Sequence, residues 1–383
     1  MKWMKALLLW LVLVAFLDLF ALLPISSPLA VSVGATPFLV GVTIGVYSFT
    51  NLVSNVVGGM GIDRFGANRV IAFGLLATAF SLFLYTVFTT PEQLIGVRAI
   101  HGLFSGLLAP SAFSLMARVS KAGRHGKTMA HTGALVGIAA IIGPAAAGII
   151  SGRYGYDWIF YSIAILMVIS AALVLLLIPR APRKTQRASR TDVKEDIIAM
   201  LKTASLTNVF MSAFILFYCL GVVTYLIPLR AKEISDSGSL GGMMIGIFGV
   251  VAVLFFLLPT NHIYDKHDAS KIIVLGMGIV VISQLMLAVF SSVPTTFISM
   301  AIFGFGFALM FPSMTKIIVD VAPEEHRGKA FGIFYACFSL GVIAGSFVTG
   351  LLQGIPWLAF SVSALFVLTI AIIISFRMKR TDV

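Results

Sequence analysis

Apolar residues run through this chain in blocks of roughly 18–25, each long enough to cross a ~30 Å hydrocarbon core as a helix. Polar positions fall mainly in short breaks between the blocks. The pattern predicts an all-α membrane protein with twelve spanning helices. The first six lie near 6–28, 37–60, 70–90, 93–117, 129–151 and 158–178. The second six lie near 207–229, 239–260, 272–291, 295–319, 329–352 and 355–376. No strand-period alternation suggests a barrel, and only helices and closed barrels satisfy their own backbone in lipid. The first block is too long for the apolar core of a signal peptide, lacks a small-residue cleavage site and carries Asp18, so it is read as span 1.

The two sets of six spans repeat one another at an offset of 202 residues, Asp63 to Asp265. Asp63-Arg64 returns as Asp265-Lys266, Ala99-Ile100-x-Gly102 as Ala301-Ile302-x-Gly304, and Pro110-Ser111 as Pro312-Ser313. Gly126-Lys127 returns as Gly328-Lys329, and Gly143 and Gly148 as Gly345 and Gly350, with no gap needed from Asp63 to Gly148. Internal repeats of this kind mark secondary transporters, whose substrate sites lie between the halves. The expected domains are an N-terminal six-helix bundle over 1–178, a cytoplasmic linker over 179–206 and a C-terminal six-helix bundle over 207–383. Within the linker, 192–202 has the composition of a short surface helix.

Charge sharpens this picture. Charged residues make up 11% of the chain, against about 25% in soluble proteins. The net charge of +12 follows membrane sidedness rather than a nucleic-acid-binding face. With both termini inside, nearly every Lys and Arg falls on a cytoplasmic segment, and the outer loops hold only Arg153, Arg230 and Lys232. The positive-inside rule thus places both termini in the cytoplasm. Cys219 and Cys337 fall inside spans 7 and 11 and are read as apolar packing. No metal cluster, carboxylate dyad or nucleophile triad is found, and no cofactor is expected. Gly123–Thr128 looks like a phosphate-binding loop, but Lys121 stands where that motif needs its first Gly, and no strand precedes it.

The remaining polar residues form motifs. Gly59-Met-Gly-Ile-Asp63-Arg64-Phe-Gly66-Ala-Asn-Arg69 lies between spans 2 and 3. Its small residues allow close helix approach, and Asp63 can face the positive N-terminus of a neighbouring helix. This spacing resembles the signature loop of the major facilitator superfamily, and with the twelve spans, the linker and the repeat the resemblance covers the whole chain. It implies a conformational latch of Gly59, Asp63, Arg64, Gly66 and Arg69 on the cytoplasmic side, with Asp63 facing the start of span 11. The second copy has Asn261 and Asp268 where Gly would be expected. Span 4 carries Arg98-Ala-Ile-His101-Gly102, similar to the family's Arg followed by Gly at +4, with His101 where Gln is frequent. Span 5 carries Gly133, Gly137, Gly143-Pro144 and Gly148, similar to the motif of the family's drug–proton antiporters, with Ala147 replacing its first paired glycine.

Asp18 is the one acid deep within an apolar block, about 20 Å from Lys5 at 1.5 Å per residue. An ionisable group in a membrane span is costly and by default functional. Asp18 and Arg98 are expected at similar depth, as a proton-coupling pair. The resemblance implies a cavity lined by spans 1, 4, 7 and 10, with help from 2, 5, 8 and 11. Candidate lining residues are Tyr47, Asn51 and Asn55, which share a face of span 2, with His101, Tyr218, Tyr225, Phe311, Phe334, Tyr335 and Phe338. Aromatic side chains repack around varied ligands and attract cations.

The function expected is secondary active transport: proton-coupled export of small amphiphilic compounds by alternating access, from a bacterial plasma membrane. The partners expected are a small-molecule substrate, protons and the bilayer, with no nucleic acid, for a chain that works as a monomer. Two alternatives stand beside it. One is a dedicated exporter of a single metabolite such as a sugar, an amino-acid derivative or a metallophore. The other is a non-transporting membrane receptor or scaffold. No enzymatic activity is expected.

Overall fold

The computed structural model describes residues 2–119, 125–178, 193–234, 239–257, 267–322, 327–353 and 355–381. Among them, 11 helices are long and apolar enough to cross a membrane, and a shorter apolar helix lies at Ser239–Phe255. The expected all-α architecture with twelve spans is therefore present. In chain order the helices are α1 (Lys2–Ala21), α2 (Ser26–Ser32), α3 (Pro37–Phe65), α4 (Ala67–Leu84), α5 (Pro91–Ser105), α6 (Leu108–Val119), α7 (His125–Tyr154) and α8 (Tyr156–Leu177). There follow α9 (Val193–Lys202), α10 (Ala204–Ile234), α11 (Ser239–Leu257), α12 (Ala269–Val289), α13 (Val293–Val321), α14 (Arg327–Leu351) and α15 (Pro356–Thr381).

Local chemistry sets the ends. Thr90 caps α5, accepting from the Gln93 amide at 3.4 Å, and Ser292, its counterpart at the repeat offset, caps α13 by accepting from Thr295 at 3.4 Å. A proline follows each cap in the first turn, where its missing N–H costs nothing. Gly66, at φ +85°, turns α3 directly into α4. In the second half that corner belongs to Asp268, whose carboxylate caps α12 through the Ser270 amide at 2.7 Å.

Several boundaries differ from the sequence expectation, and three of the differences have a local cause. Span 1 is α1 plus α2, because Pro24 has no N–H to continue the helix past Ala21. Span 4 breaks into α5 and α6 at Gly106–Leu107, where Pro110 removes the amide that would bond back to Gly106. The stretch Gly61–Phe65, beyond the expected end of span 2 at 60, is the last part of α3, and only Gly66 leaves helical geometry.

Contacts divide the chain into two compact units, residues 1–186 with 227–249, and residues 187–226 with 250–383. In the first unit α3 packs on α5, α4 on α8 and α1 on α7. The α3–α5 crossing is backbone to backbone, since a Cβ on Gly102 would overlap Thr50 Oγ1 and the Tyr47 carbonyl. A Cβ on Gly143 of α7 would come within 3.0 Å of Phe20 and the Ala21 amide of α1. Gly242 of α11 lies against Gly148 and the Pro144 carbonyl of α7, and the helix runs on through Pro144. In the second unit α12 packs on α13 and α15. Gly345, the counterpart of Gly143, lies against the Tyr218 carbonyl of α10, so both copies use the same glycine to join span 1 to 5 and span 7 to 11. Small-residue contacts of this kind bring helices together where lipid supplies no hydrophobic drive.

Candidate functional site

The first unit encloses a cluster of polar side chains in an otherwise apolar interior. Asp18 enters from α1, Thr43, Tyr47, Asn51 and Asn55 from α3, Tyr85 from the end of α4, and Arg98, His101 and Ser105 from α5. The α3 residues are spaced by four and those on α5 by three and four, so each set lines one face. Gly102 lets the two faces meet.

At the centre, Asp18 Oδ2 lies 3.1 Å from His101 Nε2, both side chains fully buried. The other ring nitrogen, Nδ1, lies 3.1 Å from the Tyr85 hydroxyl. The rings of Tyr47 and Tyr85 stand edge-on to the imidazole, at 5.2 and 5.6 Å between centroids. Phe160 of α8 stacks on Tyr85 at 4.6 Å. Arg98 donates from Nε to the Thr43 carbonyl at 3.1 Å and lays its guanidinium over the Tyr47 ring at 4.5 Å. It also interacts with the Tyr85 hydroxyl. Among the described residues, neither Asp18 Oδ1 nor Arg98 Nη1 has a hydrogen-bond partner.

The direct partner of Asp18 is thus His101 and not, as the sequence suggested, Arg98; no ion pair of 4.0 Å or less joins Asp18 to Arg98 among the described residues. The reason is register. Arg98 and His101 are one turn apart on one face, and it is His101 that sits at the depth of Asp18, while Arg98 is held by the α3 backbone.

The polar row on α3 is largely self-satisfied. Asn55 donates to Asn51 Oδ1 at 2.9 Å, Asn51 donates to Ser105 Oγ at 3.1 Å, and the Ser105 and Tyr47 hydroxyls are 2.9 Å apart. One turn earlier, Thr43 is bound to the backbone, its Oγ1 donating to the Leu39 carbonyl at 2.7 Å.

The repeat supplies an internal comparison. At the offset of 202, Tyr85, Arg98, His101 and Ser105 correspond to Leu287, Met300, Phe303 and Phe307. Leu287, Met300 and Phe303 are fully buried. The same scaffold therefore closes with apolar side chains, and the polar set is not something the fold requires. Replacing buried ion pairs by apolar residues is often neutral or stabilising, so retaining one costs stability.

The second unit carries a run of aromatic rings instead. Phe217 touches Phe338 at 3.7 Å and Phe307 at 6.0 Å, and Phe307 stacks on Phe311 at 5.4 Å. Phe311 then meets Phe334, Phe334 meets Tyr335, and Tyr335 meets Phe338, at 5.8, 5.4 and 6.5 Å. Tyr335 is 47% exposed, whereas Phe334 is fully buried. Tyr218 and Tyr225 are buried in helix packing, with Tyr218 against the ring of Phe366. The latch motif is described in part. Arg64 is exposed with its guanidinium over Phe65, and Arg69 is exposed. The side chains of Gly59 and Asp63, and all of 261–266, lie outside the described residues. Of the antiporter-like set, Gly143, Pro144 and Gly148 take part in the helix contacts given above, and Gly137 lies half-buried on α7.

Sequence reasoning missed Tyr85, Thr43 and Ser105. Tyr85 carried a usable signal, as a polar-tipped aromatic ending an apolar block. Thr43 extends the four-residue spacing of Tyr47, Asn51 and Asn55, and Ser105 stands one turn past His101.

The profile of the Major Facilitator Superfamily matches residues 8–257 and 209–382. The chain belongs to that superfamily. An uncharacterized facilitator-type transporter of Methanocaldococcus jannaschii is 25% identical over 365 residues, 93% of each chain. Multidrug resistance protein 1 of Bacillus subtilis is 24% identical over 353 residues, 88% of this chain and 87% of that one. The solved structure of the nucleoside transporter NupG superposes with a TM-score of 0.81 at 17% identity, covering 98% of this chain and 99% of that one. The chain is accordingly a multi-pass membrane transporter of the facilitator fold.

Proposed function

We propose that this facilitator exports small amphiphilic compounds across a bacterial plasma membrane in exchange for protons, by alternating access. The observation that carries the reading is the sealed Asp18–His101 pair, present in one repeat and replaced by apolar residues at the matching α5 positions of the other. Buried ionisable groups in membrane helices are retained for pathways and relays, not for stability. Asp18 and Arg98 belong to one proton-linked cluster, in which His101 lies between Asp18 and Tyr85 and Arg98 reaches the Tyr85 hydroxyl. A substrate that disturbs the cluster changes its proton affinity, and that is the coupling. The aromatic run of Phe311, Phe334, Tyr335 and Phe338 suits planar or cationic amphiphiles, which stack on rings. The similarity to a multidrug resistance protein supports export. The monomer is the working unit, since one chain holds both repeats.

The test is proton flux in inside-out vesicles holding a respiration-driven pH gradient, challenged with dyes, drugs and polar metabolites. Wild type is expected to dissipate the gradient with some amphiphilic compounds, and Asp18→Asn with none. Equal movement of a compound in both proteins removes Asp18 from the coupling path. Movement of a single polar metabolite and no amphiphile replaces the broad exporter by a dedicated one.

A further inference from the structure

Within the Asp18–His101 pair, hydrogen-bond accounting decides where an added proton can rest. With Asp18 charged, it can only accept, so His101 Nε2 carries the hydrogen between them and Nδ1 is left with a lone pair. The Tyr85 hydroxyl, 3.1 Å from Nδ1, then donates to it. Every polar atom of this line is satisfied except Asp18 Oδ1.

A further proton has two possible seats. On Asp18 Oδ1 it becomes a buried O–H donor, and among the described residues Oδ1 has no partner within hydrogen-bond distance. A buried donor without an acceptor carries the full desolvation penalty. On His101 Nδ1 it turns the Tyr85 O–H away, so each seat displaces one donor, but there the Tyr85 oxygen is already in place as acceptor and the ion pair with Asp18 is kept, which gives two charge-assisted bonds where the Oδ1 seat leaves none. The groups facing the imidazole are Asp18 from α1, Tyr47 from α3, Tyr85 from α4 and Arg98 from its own helix, and of these only the Tyr85 oxygen can accept from Nδ1.

We infer that His101 Nδ1 is the atom that takes the proton, that Asp18 stays a fixed counter-charge, and that Tyr85 is the positioning residue that registers the event by turning its hydroxyl. When Nδ1 gains its hydrogen, the Tyr85 O–H can no longer point at it and must swing away. The Tyr85 oxygen also interacts with Arg98, which lies over Tyr47 and holds the Thr43 carbonyl. Turning the hydroxyl thus redistributes the bonds that tie α4 and α5 to α3. The inference rests on the pair being a proton site, but its test needs no transported compound.

The test is infrared difference spectroscopy of the purified protein in lipid nanodiscs, stepped from alkaline to acid pH without substrate. An imidazole ring band that His101→Gln abolishes is expected, with no carboxylic-acid carbonyl band assignable to Asp18. A carboxylic-acid band that Asp18→Asn removes and His101→Gln keeps overturns it, and so does the absence of any titrating band from either residue. Tyr85→Phe keeps the ring stacked on Phe160 and guards against misfolding of the other variants. It removes the acceptor of the charged state, so the midpoint of the His101 band should move to about tenfold higher proton concentration. An unmoved midpoint removes Tyr85 from the role. If the spectra behave as expected while no compound moves protons in vesicles, the export reading fails and the proton seat stands.

Discussion

The α3–α5 crossing sets the geometry of the polar cluster, and it depends on one missing side-chain atom. In Gly102→Ala the new Cβ would overlap the Tyr47 carbonyl and Thr50 Oγ1, with the Tyr47 carbonyl carbon at 3.0 Å. Two of those three neighbours are backbone atoms inside a helix, so they cannot turn away. Relief requires α5 to shift from α3. Overpacking of a tight contact costs about 1–3 kcal/mol. Gly278→Ala is the matched control, a helical glycine whose Cβ would meet nothing within 4 Å. There the change should stabilise by roughly 0.5–1 kcal/mol through helix propensity. Gly102→Ala carries the same propensity gain, so the two variants should differ by the overpacking cost alone, about 1–3 kcal/mol, or roughly fivefold or more in the ratio of folded to unfolded protein. Thermal unfolding of both in the same nanodiscs reads the difference, with Gly102→Ala melting below wild type and Gly278→Ala at or above it. The shift of α5 also draws Arg98 from the Thr43 carbonyl and His101 from Asp18, so Gly102→Ala should lose the pH-dependent infrared band as well. If Gly102→Ala melts with Gly278→Ala, the helices are not in backbone contact at this crossing, and the cluster geometry derived from it is wrong.

Other substitutions test neighbouring links. Arg98→Lys keeps the charge but loses the planar stack on Tyr47 and the fixed fork toward the Thr43 carbonyl, so proton-driven transport should fall severalfold although the cation remains. Phe334→Ala should cost about 3–5 kcal/mol in unfolding measurements, because its ring is fully buried among aromatic neighbours. Tyr335→Ala, at an exposed site, should leave melting nearly unchanged and weaken binding of fluorescent amphiphilic cations. Ser292→Ala removes the cap of α13 and should cost about 1 kcal/mol, with Thr90→Ala giving a similar loss at the matching position of the other repeat.

What the sequence revealed and what it hid divide along one physical line. Span count and span type were legible because each depends on a local property, the length of an apolar block, and the recurrence of Gly143 as Gly345 points to the helix contact that each makes. The corner at Gly66 is likewise set by a single residue, whereas the Thr90 and Ser292 caps come from the structure alone. The span breaks at Pro24 and Pro110 were written in single residues too, but proline inside a long apolar block gives way to the block in a hydropathy pattern. The pairing of Asp18 was not legible. Asp18 and His101 lie 83 positions apart, and Tyr85 and His101 lie 16 apart. Depth along a helix can be counted at 1.5 Å per residue, but that cannot tell which of Arg98 and His101, one turn apart, meets an acid arriving from another helix. Only the α3–α5 crossing at Gly102 settles it, by tying Arg98 to Thr43 and leaving His101 to Asp18.

The repeat nevertheless held a clue to the site that no single motif carried. Duplicated positions that keep their residue, such as Gly102 and Gly304 or Pro110 and Pro312, serve the scaffold both halves share. Duplicated positions that change from polar to apolar, such as Arg98 to Met300 and His101 to Phe303, mark what one half does and the other does not. If the polar cluster were structural, Met300 and Phe303 would leave α13 poorly packed, yet both are fully buried, with the Phe303 neighbour Gly304 retained beside it. The converse exchange is therefore the informative one. Arg98→Met with His101→Phe and Tyr85→Leu would carry the charged part of the second unit's solution into the first, while Ser105 stays to hold Tyr47 and Asn51. That protein should fold at least as stably as wild type, because no buried charge needs compensation except Asp18, which Asp18→Leu removes. It should also show no proton-linked transport at any pH. A fourfold variant that folds and still exchanges protons would mean that the asymmetry between the repeats has nothing to do with coupling.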